Sequence, residues 1–192
     1  MKYYLDVTLL PDAEANLGFL WQKVYQQLHI AFVEHKIAEN QSAIAISIPE
    51  YGDKIFPLGS KIRLFSASMA TLEKLDIQLW LKRFADYVHC TSVKGVPSTV
   101  SQFACFKRVQ FDSSIERLAR RRMKRKGETL AQAIEYLSQF EAKQSTLPFV
   151  NVNSLSEQKK FKLFIDKKMA DNTTKGKFNC YGLSQGGAVP WF

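Results

Sequence analysis

Three histidines, His29, His35 and His89, are the side chains of this 192-residue chain whose ordinary ionisation falls near neutral pH. A neutral imidazole held against RNA can take the proton of a ribose 2′-hydroxyl, whose oxygen then attacks the adjacent phosphorus in line. The product is a 2′,3′-cyclic phosphate. The step needs a proton acceptor, help for the leaving 5′-oxygen, and a geometry that aligns the two oxygens. Helical spacing puts His29 at the border of an apolar stripe, one turn from Tyr25 and close to Phe32, where it is partly sheltered. His35 falls at the polar end of the same helix and His89 in a strand. By residue type alone, each of the three is more often an ordinary histidine.

Polyanion binding is written more plainly. Seven of the ten residues Arg117–Lys126 are Lys or Arg, with no acid among them, in a chain whose net charge is +9. At about 100° per residue, Arg117, Arg120, Arg121, Lys124 and Arg125 share one broad face. Ile115, Leu118, Ala119 and Met123 share the opposite one. Ser113 or Ser114 serves as the cap, Glu116 suits the first turn, and Gly127 ends the helix. A merely solvated basic helix usually interleaves Glu with Lys. A face without acids is what a phosphate backbone attracts, by ion pairing and counterion release.

Other chemistry has no foothold. No paired acidic motif, His/carboxylate cluster at ligand spacing, P-loop or GxGxxG stands in the chain, so no metal and no cofactor is expected. Cys90, Cys105 and Cys180 are widely spaced and odd in number, which suits packing residues in a reducing, cytoplasmic setting. At 46% hydrophobic and 12% aromatic the composition is globular. The opening MKYYLDVTLLP is broken by Asp6 and ended by Pro11, unlike a signal peptide. No apolar run approaches the ~18 residues that span a bilayer, so no membrane association is expected.

The elements that must position these residues read as α+β. Residues 2–10 alternate as a strand, with Tyr3, Leu5, Val7 and Leu9 on one side. Apolar residues from Leu17 to Phe32 at i, i+3, i+4 spacing predict a helix over 12–34. Strands are predicted over 43–48 and 62–66, helices over 68–75 and 78–84, and a strand over 87–93. The order β-α-β-β-α-β is the ferredoxin-like pattern that RNA-recognition modules share. A boundary is expected near Gly95 and Pro97, giving a ferredoxin-like domain over 1–94. Residues 95–192 then form a smaller, irregular α+β domain around the basic helix. Within it, strands are predicted over 102–111, 147–152 and 159–165, with a helix over 129–139 and a polar loop over 153–158.

The tail, Tyr181-Gly182-Leu183-Ser184-Gln185-Gly186-Gly187 followed by Val189-Pro190-Trp191-Phe192, resembles the end of the CRISPR-associated pre-crRNA endoribonucleases of the type I-F system. The likeness runs through Tyr4-Leu5-Asp6, Leu28-His29, Arg108-Val109-Gln110, Glu116-Arg117-Leu118, Leu147-Pro148-Phe149-Val150 and Phe161 to Ile165. Several short matches in the right order are more specific than any one of them. The resemblance implies a metal-independent cut at the 3′ base of a repeat hairpin that stays bound afterwards. It implies His29 as the catalytic histidine, Tyr181 as the tyrosine that positions it, and Ser154 as the serine that holds the ribose. Ser156 in the same loop is a rival for Ser154. It also implies Arg108 and Gln110 as base readers at the foot of the stem, and Phe161 as the aromatic stacked beneath the lowest pair. The expected partners are the CRISPR repeat stem-loop and the subunits of the type I-F crRNA-guided surveillance complex, with a monomeric, cytoplasmic protein.

Two rivals stand beside this reading. One is a non-catalytic structural RNA-binding protein, which would not need His29, Ser154 and Tyr181 together. The other is a DNA-binding regulator, for which the chain offers no helix-turn-helix signature. Read without the resemblance, Ser154 is a turn residue, Phe161 a core residue, and Tyr181 before Gly182 part of a common turn.

Overall fold

Alternation makes the first strand the spine of a sheet. In a computed structural model, β1 (Tyr3–Leu9) buries Leu5, Val7 and Leu9 on one face. There follow α1 (Leu17–Glu34), β2 (Lys36–Ala38), β3 (Gln41–Ser42), β4 (Ile44–Ser47) and β5 (Lys61–Ser66). Then come α2 (Met69–Leu75), α3 (Ile77–Leu81), a 3-10 stretch at Lys82–Tyr87, β6 (Val88–Cys90), β7 (Lys94–Gly95) and β8 (Phe103–Val109). The remainder is α4 (Ile115–Lys126), α5 (Leu130–Gln144), β9 (Phe149–Asn153), β10 (Lys160–Ala170), β11 (Lys177–Phe178), β12 (Ser184–Gln185) and β13 (Val189–Pro190). The structure describes residues 1–110, 115–144, 146–154, 159–171 and 176–192, without the side chains of 115–117 and 139–144. The expected caps Ser113 and Ser114, the rival Ser156 and the Arg117 side chain lie outside the described residues.

The fold is α+β, and the described pairings are antiparallel apart from one isolated parallel bridge, Lys177 to Gly186. One sheet runs β4-β5-β1-β6, with β7 also on β1. Leu5 faces Leu64 and Val7 faces Ile62 across its centre. A second runs β13-β8-β10-β9, and a third β12-β11-β3-β2. Trp21, Tyr25, Phe32, Phe65 and Phe106 are the largest fully buried side chains. Trp21 is not left polar and unpaired there: its indole N–H donates to the Gly59 carbonyl at 2.7 Å.

Helix α1 starts later than apolar spacing alone predicts. The Asp12 carboxylate accepts the amides of Glu14 and Ala15 at 2.8 and 2.7 Å, which makes a turn there. Asn16 then caps the helix, accepting from the Phe19 N–H at 3.0 Å. The helix expected over 78–84 is split between α3 and the 3-10 stretch. The short strands β2, β3, β11, β12 and β13 escaped sequence reading because two or three residues carry no period.

Two compact units divide the chain: residues 1–108 with 148–192, and residues 109–147. This division does not fall at the boundary expected near Gly95. Residues 94–95 pair with β1, and β11 pairs with β3, so the sheets draw both ends of the chain into one unit. In that unit the buried Arg63 donates to both Asp6 oxygens at 2.6 and 3.0 Å and to the Phe192 main-chain oxygen at 2.7 Å. Its guanidinium lies 4.7 and 4.0 Å from the Tyr4 and Phe192 ring centroids. A charge so enclosed is tolerable only with such complete pairing.

In the other unit α4 packs on α5. Ala119 and Ala133 are buried. Gly127, at φ +69°, ends α4 with its N–H on the Met123 carbonyl at 2.9 Å. Thr129 and Gln132 cap α5 reciprocally: Gln132 Oε1 accepts from the Thr129 N–H at 3.0 Å, and Thr129 Oγ1 accepts from the Gln132 main-chain N–H at 3.3 Å.

Candidate active site

The site assembles around α1. Its buried stripe of Leu20, Trp21, Val24, Tyr25, Leu28, Ala31 and Phe32 leaves His29 half-buried at the edge. His29 Nδ1 lies 2.8 Å from the Cys180 carbonyl oxygen. A carbonyl only accepts, so Nδ1 carries the hydrogen and the neutral ring keeps its lone pair on Nε2. The Tyr181 ring stacks on the imidazole, with centroids 4.0 Å apart and planes at 1°.

The turn that presents Cys180 and Tyr181 is built by Asn179. Its buried side-chain oxygen accepts the N–H groups of Tyr181 and Leu183 at 2.9 and 3.1 Å, and its main chain is bonded to Gly182 and Leu183. Gly182 sits at φ +72°, where a Cβ would come within 2.6 Å of Ile46 Cγ2 and 3.0 Å of Phe32 Cε2. No other residue fits that space. Tyr25, one turn before His29, donates its hydroxyl to the Tyr181 carbonyl at 2.9 Å. Burial pushes the Tyr25 phenol far above its ordinary range, with Tyr181 adding to the rise and Arg108 opposing it. Tyr25 therefore stays a donor. Tyr181 is raised in the same direction, chiefly by burial.

Arg108, at the end of β8, lies with its guanidinium 5.3 Å from the Phe161 ring centroid and 5.5 Å from that of Tyr181. Phe161 on β10 is half-buried, opposite Val152 of β9. A continuous series thus runs Phe161, Arg108, Tyr181, His29. Burial lowers the His29 pKa below the ordinary histidine value. The hydrogen bond to Cys180 opposes that shift, and the Arg108 charge adds to it. The lowered pKa favours the neutral imidazole.

Ser154 follows β9, with its N–H on the Lys159 carbonyl at 2.8 Å. The preceding residue, Asn153, donates its N–H to Gln26 Oε1 at 2.9 Å, so the end of β9 that leads into Ser154 is fastened to α1 one turn from His29.

Residues 4–192 match the model of the CRISPR-associated protein family Cas_Csy4. The chain is 35% identical to the CRISPR-associated endonuclease Cas6/Csy4 of Escherichia coli strain UTI89 and 34% identical to that of Pseudomonas aeruginosa strain UCBPP-PA14. Both alignments span the full length of both chains. The chain belongs to the Cas_Csy4 family.

The remaining expected residues of this Cas_Csy4 member fall as follows. Gln110 is exposed just past β8. Arg120, Arg121, Lys124 and Arg125 are exposed on α4. Arg122 differs: it donates to both Glu128 oxygens at 2.7 and 2.9 Å and lies 3.6 Å over the Tyr136 ring. His35 ends α1 with Nδ1 3.0 Å from the Ala31 carbonyl, and His89 is exposed on β6 opposite Thr8. Among the described residues no group of three His, Cys, Asp or Glu could hold a metal ion, and no helix is long and apolar enough to cross a membrane. Sequence reading missed Tyr25, Gln26 and Asn179 as supports. Their only signal was nearness in sequence to His29 and Tyr181.

Proposed function

We propose that this Cas_Csy4 family member is an endoribonuclease that cuts CRISPR repeat transcripts at the 3′ base of the repeat stem-loop and keeps the product hairpin. The observation that carries the reading is the His29 imidazole, pinned through Nδ1 by the Cys180 carbonyl and stacked on Tyr181. His29 Nε2 takes the 2′-OH proton as that oxygen attacks the phosphorus, the P–O5′ bond breaks, and the leaving 5′-oxygen takes a proton from water to become the 5′-hydroxyl. The 2′,3′-cyclic phosphate forms without a metal ion. Ser154 holds the ribose in the in-line geometry, and Tyr181 orients the imidazole.

Recognition in this reading divides between shape and bases. Arg117, Arg120, Arg121, Lys124 and Arg125 contact phosphates along the hairpin, since the A-form major groove is too narrow for side chains to read. Arg108 and Gln110 read guanine and adenine edges where the stem ends, and Phe161 stacks beneath the last pair. The strand order β4-β5-β1-β6, with the first and third strands central, supports a ferredoxin-like sheet in the N-terminal segment. The protein works as a monomer on the crRNA and docks with the surveillance-complex subunits.

Single-turnover cutting of a repeat hairpin in EDTA tests the chemistry. The rate should match that without chelator, and a 2′-deoxy substitution at the cut nucleotide should abolish cleavage while preserving binding. Cleavage of the deoxy substrate would refute 2′-OH attack. Tight binding with no cleavage of the all-ribo hairpin would favour the non-catalytic RNA-binding protein.

A further inference from the structure

Gln26 stands on α1 three residues before His29, so the two occupy adjacent turns of one helix face. Its Oε1 accepts the Asn153 N–H at 2.9 Å across a separation of 127 residues. Asn153 ends β9 and leads directly into Ser154. Helix α1 also packs on β9, and the Ser154 N–H closes onto Lys159 at 2.8 Å. The same joint holds Gln26 Nε2 and Asn153 Oδ1, both buried without a hydrogen-bond partner among the described residues. A buried amide donor and acceptor left unmade cost more than an apolar pair of the same shape. The Oε1 bond satisfies a main-chain donor, yet the other half of each amide gains nothing, so stability alone is a poor account of the polar pair. Position accounts for it.

We infer that Gln26 is a positioning residue for cleavage, fixing the end of β9 that bears Ser154 on the helix that carries His29. This rests on the reading of His29 as base and Ser154 as ribose grip. A base and a ribose holder on different elements must be kept in register, because a misplacement of about 1 Å costs on the order of 10²-fold in rate. Packing of α1 on β9 sets their separation. The Gln26 bond sets the height of Asn153 and Ser154 along the helix.

The test measures single-turnover cleavage, hairpin affinity and melting temperature for Gln26→Met, Ser154→Ala and the double variant. Gln27→Met makes the same chemical change one residue along and is the control. Gln26→Met should cut roughly 10–100-fold more slowly, with affinity within about threefold because phosphate contacts dominate binding. Adding it to Ser154→Ala should slow the cut no further, since a loop with no grip gains nothing from being placed. Gln27→Met should cut normally. Should Gln26→Met fail to fold, Gln26→Ala serves in the same comparison. Natural cutting by the Gln26 variant beside a slow Ser154→Ala overturns this inference alone, as do effects that multiply in the double variant. Natural cutting by Ser154→Ala overturns the reading of Ser154 and this inference with it.

Discussion

The imidazole of His29 and the phenol of Tyr181 lie face to face, centroids 4.0 Å apart and planes 1° from parallel. With Nδ1 bonded to the Cys180 carbonyl, the ring is held in plane by one contact and against rotation by the other. Both contacts come from adjacent residues of one turn, and Tyr25 bonds that turn from the helix that bears His29.

His29→Ala should lower the single-turnover rate roughly 10²–10⁴-fold and leave affinity within a few fold. Tyr181→Phe keeps the stacked ring and should be mild, whereas Tyr181→Ala removes it and should approach His29→Ala. His35→Ala and His89→Ala are the controls. Loss of cleavage in either control, with His29→Ala active and folded, would place the base elsewhere.

The pH dependence has a definite sign. Burial lowers the His29 pKa, so the rate should rise with pH along an acid limb lying below 6.5 and level off above it. Arg108→Gln, followed at saturating protein, should move that limb upward by removing a nearby positive charge. The same shift makes the neutral form the favoured one on folding. The His29 contribution to stability is full above the ordinary value and is lost as pH falls through the lowered one. An acid limb at or above 6.5 in the natural protein would contradict a desolvated base.

The basic helix should act through charge. Arg120→Ala, Arg121→Ala, Lys124→Ala and Arg125→Ala should each remove about one unit from the slope of log affinity against log salt, by analogy with duplex DNA. Arg122→Ala should alter the slope less and the melting temperature more, because Glu128 and Tyr136 already engage its guanidinium. Equal slopes for Arg121→Ala and the natural protein would exclude Arg121 as a contact.

Phe161→Ala should weaken hairpin binding by about 1–3 kcal/mol if the ring stacks on a base. The ring is half-buried and packs against the core, so a melting curve must accompany the titration. A variant equally folded and equally tight would remove Phe161 from the interface.

Gly182→Ala should destabilise the fold by about 2–4 kcal/mol, combining the left-handed backbone penalty with overpacking against Ile46 and Phe32. A denaturant midpoint measures it. Cleavage should fall more than stability predicts at low denaturant, since the same turn carries the Cys180 carbonyl and the Tyr181 ring.

Local physics in the sequence was enough for the long elements and for the charge. The alternation of β1, the apolar stripe of α1 and the acid-free run of α4 each repeat often enough to declare a face. Resemblance of the tail and of short internal motifs pointed to His29, Ser154 and Tyr181 as residues, but not to the contacts among them. Only tertiary packing brings the Cys180 carbonyl to His29 across 151 residues and Asn153 to Gln26 across 127. Those contacts depend on groups with no period of their own: a main-chain oxygen, a side-chain amide, a glycine at positive φ. The sequence alone, with its resemblance, named the residues proposed for the chemistry and the basic face proposed to meet RNA. The fold decided that the His29 pKa is lowered, which of its nitrogens keeps the lone pair and which turn holds it, because desolvation and hydrogen bonding are properties of surroundings rather than of residue types.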